Sequence, residues 1–359
     1  MKDMPETRES SKEHKSRDGI IRLMEVCGTH TMAIARNGIK SLLPPGVKLI
    51  SGPGCPVCVT PPQVVDAVLG LSELECRPVI ATYGDMIRVP GSRPGDTLMK
   101  RRALGADVRI VYSPVDAVEL AEKERDRQVI FLGAGFETTA PGTAAAIGAA
   151  ADRGLKNFTV FSMLKKVEPS VRALASDPSF SVQGFLCPGH VAVVTGEKGM
   201  KFFSEDLGYP AVISGFEPEE ILKAITLLLK QIRNGESKLE NAYSTVVSAD
   251  GNTIAQEMME KYFALRSDIW RGLGLIPDSG FGIREEYSDM DAEKRFDIKI
   301  GEPKQDSGCH CGDVIKGAME PSECPLFGKA CVPEEPVGPC MVSPEGACAA
   351  AWKYRDVSA

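Results

Sequence analysis

The stretch VIFLGAGFETTAPGTAAAIGAAADRG, residues 129–154, decides the fold. It opens with a continuous apolar run, VIFLGAG (129–135), short and rich in β-branched side chains. That is the pattern of a strand buried on both faces. It closes with PGTAAAIGAAADRG (141–154), an alanine-rich helix ended by Gly154. A buried strand passing directly into a helix is the repeating unit of a parallel sheet covered by helices.

The same unit recurs outward in both directions. Further runs are VKLISGP (47–53), VIATYGD (79–85), VRIVYSP (108–114), FTVFSML (158–164), FSVQGFLCPG (180–189) and YPAVISGF (209–216). Helical patterns lie between them. Thr60 is placed to cap a helix with Pro61 at its first position, and Val64, Val65, Val68 and Leu69 form its stripe. Ser113 and Pro114 open another through Ala117, Val118, Leu120 and Ala121.

The expected fold is α/β, with two consecutive Rossmann-like parallel-sheet domains over 20–126 and 127–216, parted near KERDRQ (123–128). A mostly helical and irregular domain follows over 217–359. Pro218 opens an amphipathic helix through Ile221, Leu222, Ile225, Leu228, Leu229 and Ile232, and a second helix is expected over 254–269. The tail beyond about residue 272 is rich in Gly, Pro and Cys and shows little periodicity. Such a segment needs a staple other than an apolar core. Residues 1–19 are polar, lack a signal peptide's apolar region, and read as a disordered lead-in.

The chain has 359 residues, 43% hydrophobic and 25% charged, with net charge −7. No Lys/Arg block dominates, so no nucleic-acid partner is expected. No run approaches about 18 apolar residues, so no membrane span is expected. A soluble, cytoplasmic protein follows as the expectation. Its 11 cysteines then read as buried thiols, metal ligands or redox groups, because stable disulfides are rare in a reducing compartment. Cys27, Cys55, Cys58, Cys76 and Cys187 are spread out; Cys309, Cys311, Cys324, Cys331, Cys340 and Cys348 crowd together near the end.

Parallel sheets bind ligands beyond the carboxyl ends of their strands, and the unusual residues lie there. Gly54-Cys55-Pro56-Val57-Cys58, Tyr83-Gly84-Asp85, Gly135-Phe136-Glu137-Thr138-Thr139 and Cys187-Pro188-Gly189-His190 each follow an apolar run. Cys58 stands near an expected helix N-terminus, which favours a thiolate. Cys55 and Cys58 are therefore a redox dithiol or a soft-metal site, against the blander reading of a Gly/Pro turn. Cys27 and His30, three apart, can face one site, as iron or zinc ligands or as thiol and base; a structural pair is the alternative. The glycine-rich Gly133–Thr139 turn can hold an anion, or is only a tight strand–helix turn. His190 reads as a cleft ligand or acid/base, or as a structural imidazole. Cys76 reads as a buried thiol. Cys324, Cys331, Cys340 and Cys348, separated by six, eight and seven residues, suit zinc or a [4Fe–4S] cluster. The wide, uneven spacing favours the cluster. Cys309-His310-Cys311 can supply alternative ligands.

Taken together, MEVCGTHT (24–31), GPGCPVCVTP (52–61), YGDMIRVPG (83–91), GFETTAP (135–141), Gly189-His190 and CPLFGKACVPEEPVGPCMVSPEGACAA (324–350) resemble the HypD hydrogenase maturation family. The resemblance implies a scaffold and redox centre for assembling the Fe(CN)2CO moiety of [NiFe]-hydrogenases. Its implied partners are a HypC-like chaperone, a HypE-like cyanide donor and, indirectly, the hydrogenase large subunit. It also implies that Cys27 binds the transient iron beside His30, that Cys55 and Cys58 are a thiol/disulfide pair, and that Cys324, Cys331, Cys340 and Cys348 hold a [4Fe–4S] cluster. Cys309 and Cys311 compete with Cys340 for a ligand place. Asp85, Glu137 and His190 are candidates to position or protonate the cyanide donor. A free-standing iron–sulfur thiol–disulfide oxidoreductase, acting on a protein disulfide, is the rival reading; a zinc-stapled binding module is a third.

Overall fold

The computed structural model describes residues 19–93, 95–302 and 308–355. The expected lead-in over 1–19 falls almost wholly outside them. The strands are β1 (Ile21–Glu25), β2 (Val47–Ser51), β3 (Val79–Thr82), β4 (Val108–Ile110), β5 (Val129–Gly135), β6 (Phe158–Leu164), β7 (Gly184–Pro188), β8 (Ala211–Ser214), β9 (Leu239–Asn241), β10 (Phe263–Trp270) and β11 (Gly274–Ile283). All seven apolar runs supply strands.

The strands form two parallel sheets, as the strand–helix alternation requires. One has the order β2-β1-β7-β8-β9, the other β4-β3-β5-β6. The sheets are interleaved along the chain and not consecutive. The chain makes β1 and β2, leaves to build the whole second sheet, and returns at β7, where Leu23 pairs with Gly184. The expected break at 126/127 falls inside the second sheet, because Val79 of β3 pairs with Val129 of β5. Periodicity reports that a run is a buried strand; it carries no information about which other buried strand lies beside it.

Every residue of β5 and β6 is buried. Phe131, Phe158 and Phe161 are among the largest wholly buried side chains, each stabilising the fold by about 1.5–3 kcal/mol relative to an exposed position. The helix Ala140–Asp152 lies close on this sheet through Ala144, Ile147 and Ala150. On the first sheet, the helix Pro218–Asn234 buries Ile221, Ala224, Ile225 and Leu228 in one cluster with Leu23, Leu186 and Val212. That helix therefore covers the first sheet, although it lies beyond the expected limit at residue 216.

The expected helix over 254–269 is shorter, Thr253–Tyr262. At Phe263 the chain becomes extended and β10 pairs antiparallel with β11. The hairpin seats against β6: Ser162 donates its hydroxyl to the Phe281 carbonyl at 2.6 Å, and the Lys166 N–H donates to Ser279 at 2.9 Å. Lys165 pairs with Asp268 at 2.9 Å, both buried. Among the described residues, no helix is long and apolar enough to cross a membrane.

Candidate thiol and redox site

In each sheet the chain reverses its direction of strand addition at one place. In the first this lies between β1 and β7, in the second between β3 and β5. Loops leaving adjacent strands in opposite directions open a crevice at such a switch point. Cys27 and His30 follow β1, and His190 follows β7; Asp85 follows β3, and Glu137 follows β5. Five of the expected site residues thus flank the two switch points.

Cys27 is the extended N-cap of the helix Gly28–Arg36. The N–H groups of His30 and Thr29 favour its thiolate, but burial, followed by the nearby Glu345 and Glu25 carboxyls, wins and pushes the thiol up to about 12. Glu25 accepts the Cys27 N–H at 3.0 Å and the Thr31 hydroxyl, and burial raises it to about 8. Burial likewise raises Asp85 and Glu345. The two carboxyls that act on this buried thiol, Glu25 and Glu345, are costly without a cation, and a bound metal ion would reverse the balance.

The Cys55 loop lies directly against Cys27. The Gly28 N–H donates to the Gly54 carbonyl at 2.9 Å, and a Cβ at Gly54 would overlap the Cys27 backbone. Cys55 and Cys58 are buried and joined in a disulfide. The activated thiol expected at a helix N-terminus is therefore oxidised here. The helix begins one residue late, at Pro62, and Thr60 does not cap it; its hydroxyl donates to the Pro56 carbonyl at 2.9 Å and braces the disulfide loop.

His30 is fully buried, its Nε2 bonded to the Gly215 carbonyl at 2.8 Å, which makes Nε2 the protonated nitrogen. Among the described residues Nδ1 has no partner. Burial lowers His30 to about 4, so the ring is neutral at pH 7. Phe216 stands between it and His190, with centroids 4.6 Å from His30 and 3.9 Å from His190. The two imidazoles share one aromatic stack. Glu137 accepts the Val167 N–H at 3.0 Å, its second oxygen is buried without a partner among the described residues, and burial raises it to about 7. Cys187 is a buried thiol within β7, whereas Cys76 is exposed and not buried as expected.

Cys309, Cys311, Cys324, Cys331, Cys340 and Cys348 line one small cavity. Cys311 interacts with Cys309 and Cys340, and Cys340 with Cys348; Cys331 feels Cys309 and Cys324. Shared hydrogen bonds and burial raise Cys309, Cys311 and Cys340. Six thiols around one cavity, four buried and Cys309 and Cys324 part-exposed, fit a thiolate-ligated iron–sulfur cluster by donor chemistry. This segment also reaches the Cys27 region. Thr29 donates its hydroxyl to Glu345 at 2.9 Å, and the Ser343 hydroxyl donates to Asp85 at 3.4 Å.

The sequence alone does not single out Glu25 or Glu345 as site residues. Glu25 and Glu345 lie inside quoted motifs, and a carboxylate next to a buried thiol was the available signal.

These features define a class: a two-sheet α/β protein with buried thiols and a disulfide at one switch point and a cysteine-lined cavity beside it. The pattern of the HypD family, described as the Hydrogenase formation hypA family, matches residues 4–355, and the chain belongs to that family. It is 44% identical over 340 residues to the hydrogenase maturation factor HypD of Rhizobium leguminosarum bv. viciae, covering 92% of this chain and 87% of that one. The HypD of Rhodobacter capsulatus is 45% identical over 341 residues, covering 93% and 89%. That of Azotobacter vinelandii is 44% identical over 341 residues, again covering 93% and 89%. The chain is a hydrogenase maturation factor of this family.

Proposed function

We propose that this maturation factor is the scaffold and redox centre on which the Fe(CN)2CO moiety is assembled. The observation that carries the reading is the seating of Cys27 against the Cys55–Cys58 loop, with Gly28 bonded to Gly54 at 2.9 Å. Iron bearing cyanide and CO prefers strong, soft donors, and thiolate is one. Cys27 is the thiol this chain offers, and a HypC-like chaperone supplies a second. Cyanide comes from a HypE-like donor, and the finished centre passes toward the hydrogenase large subunit.

The carboxyls of Glu25, buried, and Glu345, half-buried, both act on Cys27 and favour a cation beside it. Neutral His30, its Nε2–H tied to Gly215, offers a bare Nδ1 lone pair and no positive charge to oppose iron. Glu137, raised to about 7, can hold or release a proton near neutrality. With His190 and Asp85 it is proposed to position or protonate the cyanide donor.

Cys324, Cys331, Cys340 and Cys348 are proposed to hold a [4Fe–4S] cluster, with Cys309 and Cys311 on the same cavity. When bound, the cluster supplies single electrons toward the two-electron thiol couple. Opening the Cys55–Cys58 bond consumes two electrons and two protons and yields two thiols facing the Cys27 site. Hydrogenase maturation in cells whose own copy is replaced by Cys27→Ala tests the reading. Loss of matured enzyme is expected; wild-type maturation would overturn it.

A further inference from the structure

The tip of the β10–β11 hairpin touches three parts of the site that are far apart in sequence. Trp270, at the end of β10, stacks on Phe136, the neighbour of Glu137, at 6.0 Å. The Arg271 N–H donates to the Val59 carbonyl at 2.8 Å, and its Nε–H donates to the Thr60 carbonyl at 3.0 Å. Both carbonyls belong to the turn just after Cys58. Gly272, with φ of +78°, then passes so close to Gly312 that a Cβ would lie 2.6 Å from its Cα. Gly312 follows Cys311.

We infer that Arg271 is a positioning residue: it clamps the disulfide loop to the hairpin and sets a fixed positive charge between that loop and the cysteine-lined cavity. The backbone contact of Gly272 with Gly312 sets Arg271 beside the segment that carries Cys309 and Cys311. Arginine suits the task because its planar fork holds a directed N–H while the charge is never lost. A fixed cation beside a thiolate-ligated cluster stabilises the reduced, more negative state and raises its potential. The inference rests on the proposed cluster.

The reaction served is the reduction of Cys55–Cys58: the S–S bond breaks, two electrons are taken up from a low-potential one-electron donor, and two protons complete the thiols; a bound cluster would supply those electrons one at a time. The test compares full-length wild-type, Arg271→Met and Arg271→Lys proteins. Anaerobic redox titration followed by electron paramagnetic resonance gives the cluster potential. Thiol labelling gives the rate of disulfide opening, with dithionite as the one-electron donor and, separately, with dithiothreitol.

Arg271→Met is expected to shift the potential to more negative values and to slow opening by dithionite on the order of 100-fold, the scale of a misplaced reacting group. Opening by dithiothreitol speeds up, because the loop is unclamped. Arg271→Lys restores the potential but not the loop, since it lacks the directed Nε–H. If Arg271→Met cannot be isolated folded, the lysine variant still decides through its split between potential and rate. Wild-type values for potential and both rates in either variant would overturn the Arg271 role alone. Absence of any cluster from wild-type protein would overturn the cluster assignment and this inference with it.

Discussion

Thr29 donates its hydroxyl to Glu345 at 2.9 Å, tying the helix that begins beside Cys27 to the segment that carries Cys340 and Cys348. The two residues are 316 positions apart. The bond joins the thiol at the first sheet's switch point to the cysteine-lined cavity. A Cβ at Gly28 would overlap Glu345, so the approach depends on glycine. Thr29→Val is expected to leave the fold intact and to loosen this contact. Hydrogen exchange of residues 343–348 should rise in the variant; unchanged protection would show that the contact orders nothing.

Gly54 controls the spacing of Cys27 from the disulfide. Gly54→Ala forces a Cβ into the Cys27 backbone. A destabilisation of about 1–3 kcal/mol is expected, the range for overpacking a tight site. Urea unfolding measures it. An unshifted midpoint would mean that the two loops separate freely.

Lys165 and Asp268 form a buried pair, and Lys165 also donates to the Ile269 carbonyl at 2.9 Å. Lys165→Met leaves Asp268 buried and unpaired, at a cost of about 3–5 kcal/mol. The loss would fall on the hairpin that carries Arg271. Chemical denaturation should report it; a loss below about 1 kcal/mol would place the pair among exposed ion pairs in effect.

Stability of the metal-free protein depends on pH through Glu25 and Glu137, raised by burial to about 8 and about 7. The folded protein holds these protons more tightly than the unfolded chain. Their contribution is full below about pH 4.5 and is lost as pH rises through about 7 and then about 8. Melting temperature should fall over that window, and Glu137→Gln should flatten the lower part. A variant as pH-dependent as wild type would remove Glu137 from the account.

Five of the seven apolar runs, those of β3, β5, β6, β7 and β8, are legible because a strand covered on both faces has no polar alternation to confuse it; β2 and β4 are part-exposed and show through their β-branched content. β1 is not legible: Ile21–Glu25 is five residues long and carries Arg22 and Glu25. The β10–β11 hairpin was hidden for the opposite reason. One face is open, and Pro277, Gly280 and Gly282 interrupt β11. The motif residues at strand ends were found because a parallel sheet gathers such ends by geometry. Arg271 could not be found that way, because its role arises from contacts made across 211 positions, to Thr60. The interleaving of the sheets is likewise a property of pairing between distant strands.

The central claim is that iron with diatomic ligands is assembled at Cys27. Infrared spectroscopy of the anaerobically purified protein, co-expressed with a HypC-like partner, tests it most directly. Wild-type protein should show CN and CO stretching bands, and Cys27→Ala should show neither while keeping its cluster absorbance. Bands of equal strength in Cys27→Ala, or their absence from wild type alongside turnover of a protein disulfide, would contradict the account.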